Sequence, residues 1–393
     1  MQRREFVSAA LASSIALTAL ANQPARKWRV GVIGHTGRGN YGHGLDVIWL
    51  KLPETEIVAV ADADEKGLID AQKRLKSPLA FADYRAMLDQ TKPDIVALAP
   101  RYVDQHHSMA MAAIAAGAKG IYAEKPFCRT PAEADEIVAA CKKHHVKLAL
   151  AHVARYHPVI PVVAGLIKEG HLGRLLEIRA RGKEDERGGM LDLWVLGSHV
   201  LNLAHFFAGN PLSCSATLWQ AGKPVTAQDV RDGSEGIGPL AGNEVHARFE
   251  MSSGIPLFFD SIAGAGDKAA SFGLQLIGNK GLIDIRMDKD PLAHWVAGNP
   301  FLPTPEPRPW IPITSAGIGN PEPLVDLGQK VSSHLLATQD LLASLREDRA
   351  PLCSAEEGRV TIEMITAVMA SHCQTGQRVT WPLAERQNPL GKL

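Results

Sequence analysis

The stretch from Trp28 to Asp62 constrains the fold most. Trp28-Arg29-Val30-Gly31-Val32-Ile33-Gly34 is an apolar run suited to a buried parallel strand. It breaks at once into His35-Thr36-Gly37-Arg38-Gly39-Asn40-Tyr41-Gly42, and a helical stretch is expected from about Tyr41 to Leu52. A second apolar strand, Ile57–Ala61, ends at Asp62, 23 residues beyond Gly39. Strand, glycine turn, helix, strand and acidic residue form the βαβ dinucleotide arrangement. Glycines admit a pyrophosphate to the backbone, a helix N-terminus offers free N–H groups, and the carboxylate accepts from a ribose hydroxyl. Anchored on the strand, G-x-G-x-x-G falls on Gly34, Thr36 and Gly39, with Thr in the middle slot. Gly37 loosens the turn and Arg38 lies within reach of phosphate. Asp62 favours NAD over NADP, because a carboxylate repels a 2′-phosphate.

The alternation continues through a helix at Glu65–Lys76, a strand Ile95–Ala99 ending at Pro100, and a helix Ser108–Ala116. A strand Gly120–Ala123, a helix Pro131–His144 and a strand Lys147–Ala151 follow. Strands separated by helices of this length predict an α/β fold with a doubly wound parallel (Rossmann) sheet. Ligands on such sheets bind at the carboxyl ends of the strands. Those ends carry Gly34, Asp62, Pro100-Arg101, Glu124-Lys125-Pro126 and His152–Arg155, all expected to face one crevice.

Beyond about Arg174 the pattern changes. Leu175–Arg179 and Glu244–Glu250 alternate apolar and polar, and Gly278-Asn279-Lys280-Gly281 joins two such runs as a hairpin. This predicts a C-terminal α+β domain with a large, mostly antiparallel open sheet, whose exposed face implies a homo-oligomer, dimer or tetramer. The expected divisions are an export signal over residues 1–21, a dinucleotide domain over 28–153, and a substrate and oligomerisation domain over 154–393. The proline-rich Pro291–Pro323 reads as an ordered arm over the crevice or an oligomer contact. Helices are expected around Val331–Arg346 and Glu356–His372.

Lys+Arg and Asp+Glu both count 42, so no net field draws in nucleic acid or an anionic membrane. Arg3-Arg4 precede an apolar, small-residue stretch from Phe6 to Ala21 that ends in an A-x-A-like site and is short for a bilayer span. Arg3-Arg4-Glu5-Phe6-Val7 resembles a twin-arginine export signal, which implies a periplasmic or otherwise exported protein, with no membrane attachment once the signal is removed. The five cysteines are scattered, with neither a disulfide framework nor metal spacing. The adjacent pairs His106-His107 and His144-His145 make no metal triad, so no metal is expected.

From Arg29 to Pro382 the chain resembles the Gfo/Idh/MocA oxidoreductases. The likeness rests on Val30–Gly39 with Asp62, on Pro100 followed by His107 and Gly117-Ala118-Lys119, on Ala123-Glu124-Lys125-Pro126, and on Arg155-Tyr156-His157-Pro158. It implies a nicotinamide cofactor and a carbohydrate substrate; export of the folded protein implies that the cofactor is tightly held, and Asp62 makes it NAD, NADP being less expected. Lys125 at a strand end beside nicotinamide is a candidate to shuttle a proton from a substrate hydroxyl, with Glu124 orienting its ammonium. His107 is placed at a helix N-terminus near the cofactor. In Gly188-Gly189-Met190-Leu191-Asp192 through His199 and Asn202, His199 fits the family's histidine beside the reacting carbon. The family's two carboxylates, however, fall on Val195 and Asn202. Asp192 lies two helical turns before His199, roughly 10 Å away on the same face, and either binds another sugar hydroxyl or caps the helix. Arg155, and Lys183 in the charged loop Arg181–Arg187, complete the candidate substrate contacts.

The resemblance implies an oxidoreductase acting on a sugar hydroxyl. Two alternatives stay open: a glycoside-cleaving enzyme that oxidises transiently through NAD, and a non-catalytic carbohydrate-binding protein.

Overall fold

The computed structural model describes residues 26–266 and 271–393. The export signal expected over residues 1–21 lies outside them. Strands β1 (Trp28–Ile33), β2 (Thr55–Ala61), β3 (Ala80–Phe81), β4 (Ile95–Leu98), β5 (Gly120–Ala123) and β6 (Lys147–Leu150) form a six-stranded sheet in the order β3-β2-β1-β4-β5-β6. Every pairing is parallel. This is the doubly wound order, whose switch point lies between β1 and β4. The apolar runs are what such a sheet needs, because helices cover both of its faces; Val30, Val32, Val96, Ile121 and Ala149 are all fully buried.

Local chemistry sets the helix limits. Asp64 accepts from the Gly67 amide to start Glu65–Leu75. Thr130 caps Pro131–His144, which has proline in its first turn. Left-handed Lys76, Lys92 and His145 end three of the helices. The helix expected over Tyr41–Leu52 does not form: the chain turns until a short 3₁₀ segment, Val47–Lys51. Gly42 and Gly44 stand at positive φ, which no right-handed helix accommodates. Gly42 also lies so close to the Glu124 carboxylate that a Cβ there would come within 2.6 Å of Oε1.

The second sheet has eleven strands. β7 (Leu175–Arg181) lies at its centre, parallel to Pro256–Ile262 and antiparallel to Gly273–Gly278, and β8 (Pro211–Gln220) lies near one edge. Ile178, Ala180, Val245, Phe249 and Phe259 point to the covered face, where the helices Ser198–Ala208 and Ala355–Cys373 pack. Arg179, His246 and Arg248 alternate with them on the open face. Part of the proline-rich segment, expected as an ordered arm over the crevice or an oligomer contact, is sheet edge. Ala293–Ala297, Ile311–Thr314 and Gly317–Ile318 extend the edge, because β-branched and aromatic residues between the prolines pair in register. The helix expected over Val331–Arg346 is broken at left-handed His334 into Leu327–Ser332 and Leu335–Glu347. Ala355–Cys373 is buried along most of its length between Pro131–His144 and β8, joining the two sheets.

Candidate active site

At the carboxyl ends of β1, β2 and β3 lies a cavity of about 200 Å³, lined by Gly34, His35, Asp62, Asp83, Tyr84 and Gln105 among others. Its lining carries no Lys or Arg among the described residues. Asp62, only 1% exposed, does not present free oxygens. Its carboxylate accepts from the Thr36 amide and hydroxyl, the Tyr41 hydroxyl and the Asp64 amide at 2.7–3.1 Å. Burial first, and then the Asp62 bond, push the Tyr41 phenol far up, so it stays a donor. Thr36, expected to face phosphate, turns inward instead. Its hydroxyl is spent on Asp62, and a Cβ on Gly67 would come within 2.0 Å of it. Asp62 thus shapes the glycine turn from beneath.

The other turn residues reach the loop after β4. Arg38 pairs with Asp104 at 2.5 Å and lies over the Tyr102 ring. Gly39 is required: its φ is +86° and a Cβ would meet the Arg101 amide nitrogen at 2.3 Å. Gly37, at φ +81°, is open to solvent on its Cβ side. Pro100 is buried and its carbonyl lies 2.7 Å from His106 Nε2, while His106 Nδ1 lies 2.7 Å from the Pro126 carbonyl. His106 therefore ties the two turns together. His107, the histidine expected at the cofactor, points the other way and pairs with Glu136 at 2.7 Å. The two diverge because adjacent helical residues cannot share a face.

Glu124 and Lys125 follow β5 directly. Glu124 is fully buried and accepts from the His43 amide, from His43 Nδ1 at 2.6 Å and from the Lys125 amide at 2.8 Å. Burial alone would raise its pKa, but the His43 bond and the Lys125 charge bring it down to about 2. Lys125 is 8% exposed and its Nζ donates to the Val195 carbonyl at 3.1 Å. Burial lowers its pKa, and the charges of Glu124 and Glu235 only partly restore it. A carbonyl in place of a carboxylate holds the ammonium without neutralising it, which leaves the amine form more accessible.

That carbonyl comes from an irregular turn. Met190–Asp192 is one helical turn, Leu193–Gly197 is a π-helical turn, and a regular helix resumes at Ser198–Ala208. The wider turn breaks the 3.6-residue count, so Asp192 and His199 do not share a face as the sequence spacing suggested. His199 stays half-buried, its ring edge-on to His152 at 5.0 Å and to Phe272 at 6.1 Å between centroids. Desolvation, followed by the nearby His152 and Lys125, drives its pKa well below the ordinary value, so it is a neutral imidazole.

Three expected substrate contacts are corrected. Asp192 is fully buried, and its Oδ2 accepts from Ser261 Oγ at 2.7 Å and from the Glu184 amide at 3.0 Å. It caps no helix: Oδ2 clamps the Gly182–Gly188 loop, while Oδ1 is buried without a partner among the described residues. Removing it breaks two charge-assisted bonds, so Asp192→Ala should cost about 2–4 kcal/mol in a denaturant titration. An unchanged midpoint would contradict this. Arg155 is also buried: its guanidinium donates to the Leu352 carbonyl at 2.9 Å and lies over Phe206, pinning the C-terminal segments. The Lys183 ammonium is taken up by Asp288 at 3.3 Å. The glycine pair between them is steric. A Cβ on Gly188 would come within 2.1 Å of the Ala263 backbone, and Gly189, at φ +75°, is pressed on the Gly242 carbonyl. Beside this loop a cavity of about 460 Å³ is lined largely by polar residues, Arg187, Asp229, Arg231, Ser234 and Asn243 among them.

Sequence reasoning missed His43, His334 and Tyr122. Tyr122 OH lies 2.7 Å from His334 Nδ1, and burial lowers the His334 pKa. These residues are far apart in sequence, and no local pattern brought them together. His152 carried a signal, standing one residue past the apolar run of β6.

Among known proteins, a model of an oxidoreductase family with an NAD-binding Rossmann fold matches residues 28–152. A D-apiose dehydrogenase of Paraburkholderia graminis is 29% identical over 192 residues, 46% of this chain and 51% of the relative. A trans-1,2-dihydrobenzene-1,2-diol dehydrogenase of Mus musculus is 25% identical over 197 residues, 47% of this chain and 58% of the relative. The chain thus spans about half the length of the curated relatives it matches. The fold likeness is wider: a levoglucosan dehydrogenase solved with NADH and levoglucosan superposes with a TM-score of 0.72 at 18% identity, covering 91% of this chain and all of that one. The class is an NAD-binding Rossmann domain of oxidoreductase type, followed by a large, mostly antiparallel sheet. Residues 28–152 match the model of the Gfo/Idh/MocA oxidoreductase family.

Proposed function

We propose that the chain is an NAD-dependent oxidoreductase acting on a hydroxyl of a sugar or sugar derivative. The observation that carries this is Lys125: a buried ammonium at the carboxyl end of β5, whose hydrogen-bond partner among the described residues is a carbonyl, with the neutral His199 at the same site. Gly34, Gly39 and the loop at Pro100 would hold NAD, Asp62 supporting the turn from below. Bound NAD would supply the hydride acceptor. Lys125 takes the hydroxyl proton and His199 orients the oxygen by hydrogen bonding. The polar cavity beside Arg187, and the naming of relatives for apiose and levoglucosan, favour a polyhydroxylated substrate.

The test is to incubate the protein with NAD and a panel of monosaccharides, anhydrosugars and aryl glycosides, following product and reduced nicotinamide together. Oxidised sugar with matching NADH supports the reading. Glycoside cleavage without net NADH would replace it with the transient-oxidation alternative. Sugar binding without chemistry, and intact after Lys125→Met, would leave a binding protein. The rate should rise with pH as Lys125 deprotonates, with a midpoint below the ordinary lysine range, and show no limb from His199, which is already neutral. A profile flat up to the ordinary lysine range would contradict the role of Lys125.

Two further proposals complete the reading. Arg3-Arg4 and the apolar stretch after them support twin-arginine export with NAD already bound, and replacing both arginines by lysine should keep the protein in the cytoplasm. The open face carrying Arg179, Phe258 and His246 supports a homo-oligomer, which a monomer in sedimentation velocity would refute.

A further inference from the structure

A one-way chain of hydrogen bonds ends at this site. The Thr361 hydroxyl donates to the Glu357 carbonyl at 2.9 Å and so accepts from Asn202 Nδ2 at 3.2 Å. This fixes the Asn202 amide with Oδ1 toward Cys353, whose Sγ lies 3.5 Å away. Burial raises the Cys353 pKa, so the thiol keeps its proton and donates it to Oδ1. With that proton committed, the sulfur accepts from His152 Nδ1, also 3.5 Å away. His152 is 1% exposed, Asn202 and Cys353 are fully buried, and Thr361 is 1% exposed. The chain therefore puts the His152 proton on Nδ1 and the lone pair on Nε2. Nε2 is buried and has no partner among the described residues, a costly state for a polar atom. The ring that carries it packs edge-on against His199 at 5.0 Å.

We propose that His152 Nε2 is a fixed acceptor for a second hydroxyl of the substrate, selecting a vicinal diol or polyol over a simple alcohol at the Lys125–His199 site. The inference rests on the reading of that site as the place of reaction. Desolvation, with the Lys125 charge adding to it, takes the His152 pKa to about 3, so the acceptor persists at every working pH. Asn202 and Val195 occupy the sequence positions where carboxylates were expected. Asn202 here sets a tautomer, and the acceptor it prepares is an imidazole nitrogen instead of a carboxylate.

The test has two arms. In the ligand-free protein, ¹⁵N shifts of the His152 ring should show Nδ1–H, and Cys353→Ala should weaken that preference; a protonated Nε2 overturns the proposal. In the second arm, His152→Asn keeps a donor near Cys353 and removes the distal acceptor, whereas His152→Gln places an amide near the lost nitrogen. With the best polyol of the panel, His152→Asn should raise KM at least about tenfold at unchanged NADH affinity, and His152→Gln should recover part of it. An unchanged KM in His152→Asn, with an active wild type, sinks this proposal alone. A wild type that neither binds nor oxidises any polyol sinks the Lys125–His199 reading as well.

Discussion

Lys125→Met lowers turnover by about 10²–10⁴-fold, the usual contribution of a positioned general base, while NADH binding and the fold persist. The fold persists because none of the Glu124 hydrogen bonds comes from the Lys125 side chain: the donors are the His43 amide, His43 Nδ1 and the Lys125 main-chain amide. Methionine fills most of the lysine stem volume and needs no acceptor, so the Val195 carbonyl is the group left wanting. Steady-state kinetics beside an NADH titration separate the two effects. Near-wild-type turnover would remove Lys125 from the chemistry, and loss of both turnover and NADH binding would make it a structural residue.

Asp62→Ala has the second largest effect, through the cofactor. Four donors converge on its carboxylate, from Thr36 twice, Tyr41 and Asp64, so its loss leaves buried donors unpaired and the glycine turn unsupported. NADH affinity should fall at least about tenfold, or ~1.4 kcal/mol, and stability by about 3 kcal/mol. Fluorescence titration and denaturant melts read the two separately. A ribose-only role would weaken NADH and leave the melt unchanged, whereas the internal network predicts that both move.

The first sheet was legible because a parallel sheet covered on both faces needs continuous apolar strands, and Val30–Ile33, Ile95–Leu98 and Ile121–Ala123 supply them. Glu124-Lys125-Pro126 could be placed because the turn directly follows such a strand. Asp192 was misplaced because periodicity assumes 3.6 residues per turn, and the π-helical turn at Leu193–Gly197 depends on tertiary packing that local sequence does not report. Arg155 and His107 had suitable chemistry and the wrong direction: one pins the Leu352 carbonyl, the other meets Glu136 on the surface. The edge strands around Trp295 and Ile313 were hidden by flanking prolines. The Thr361–Asn202–Cys353–His152 chain joins residues up to 209 positions apart, beyond the reach of any local pattern.

Every role assigned to this site depends on the fold holding NAD beside Lys125. The most direct test of that binding is to denature the purified protein, assay the supernatant for NAD(H) and NADP(H), and titrate any dinucleotide-free protein with NADH and NADPH. NAD(H) is expected in near-stoichiometric amount, or tight NADH binding with NADPH clearly weaker. No dinucleotide released, and none bound on addition, would contradict it.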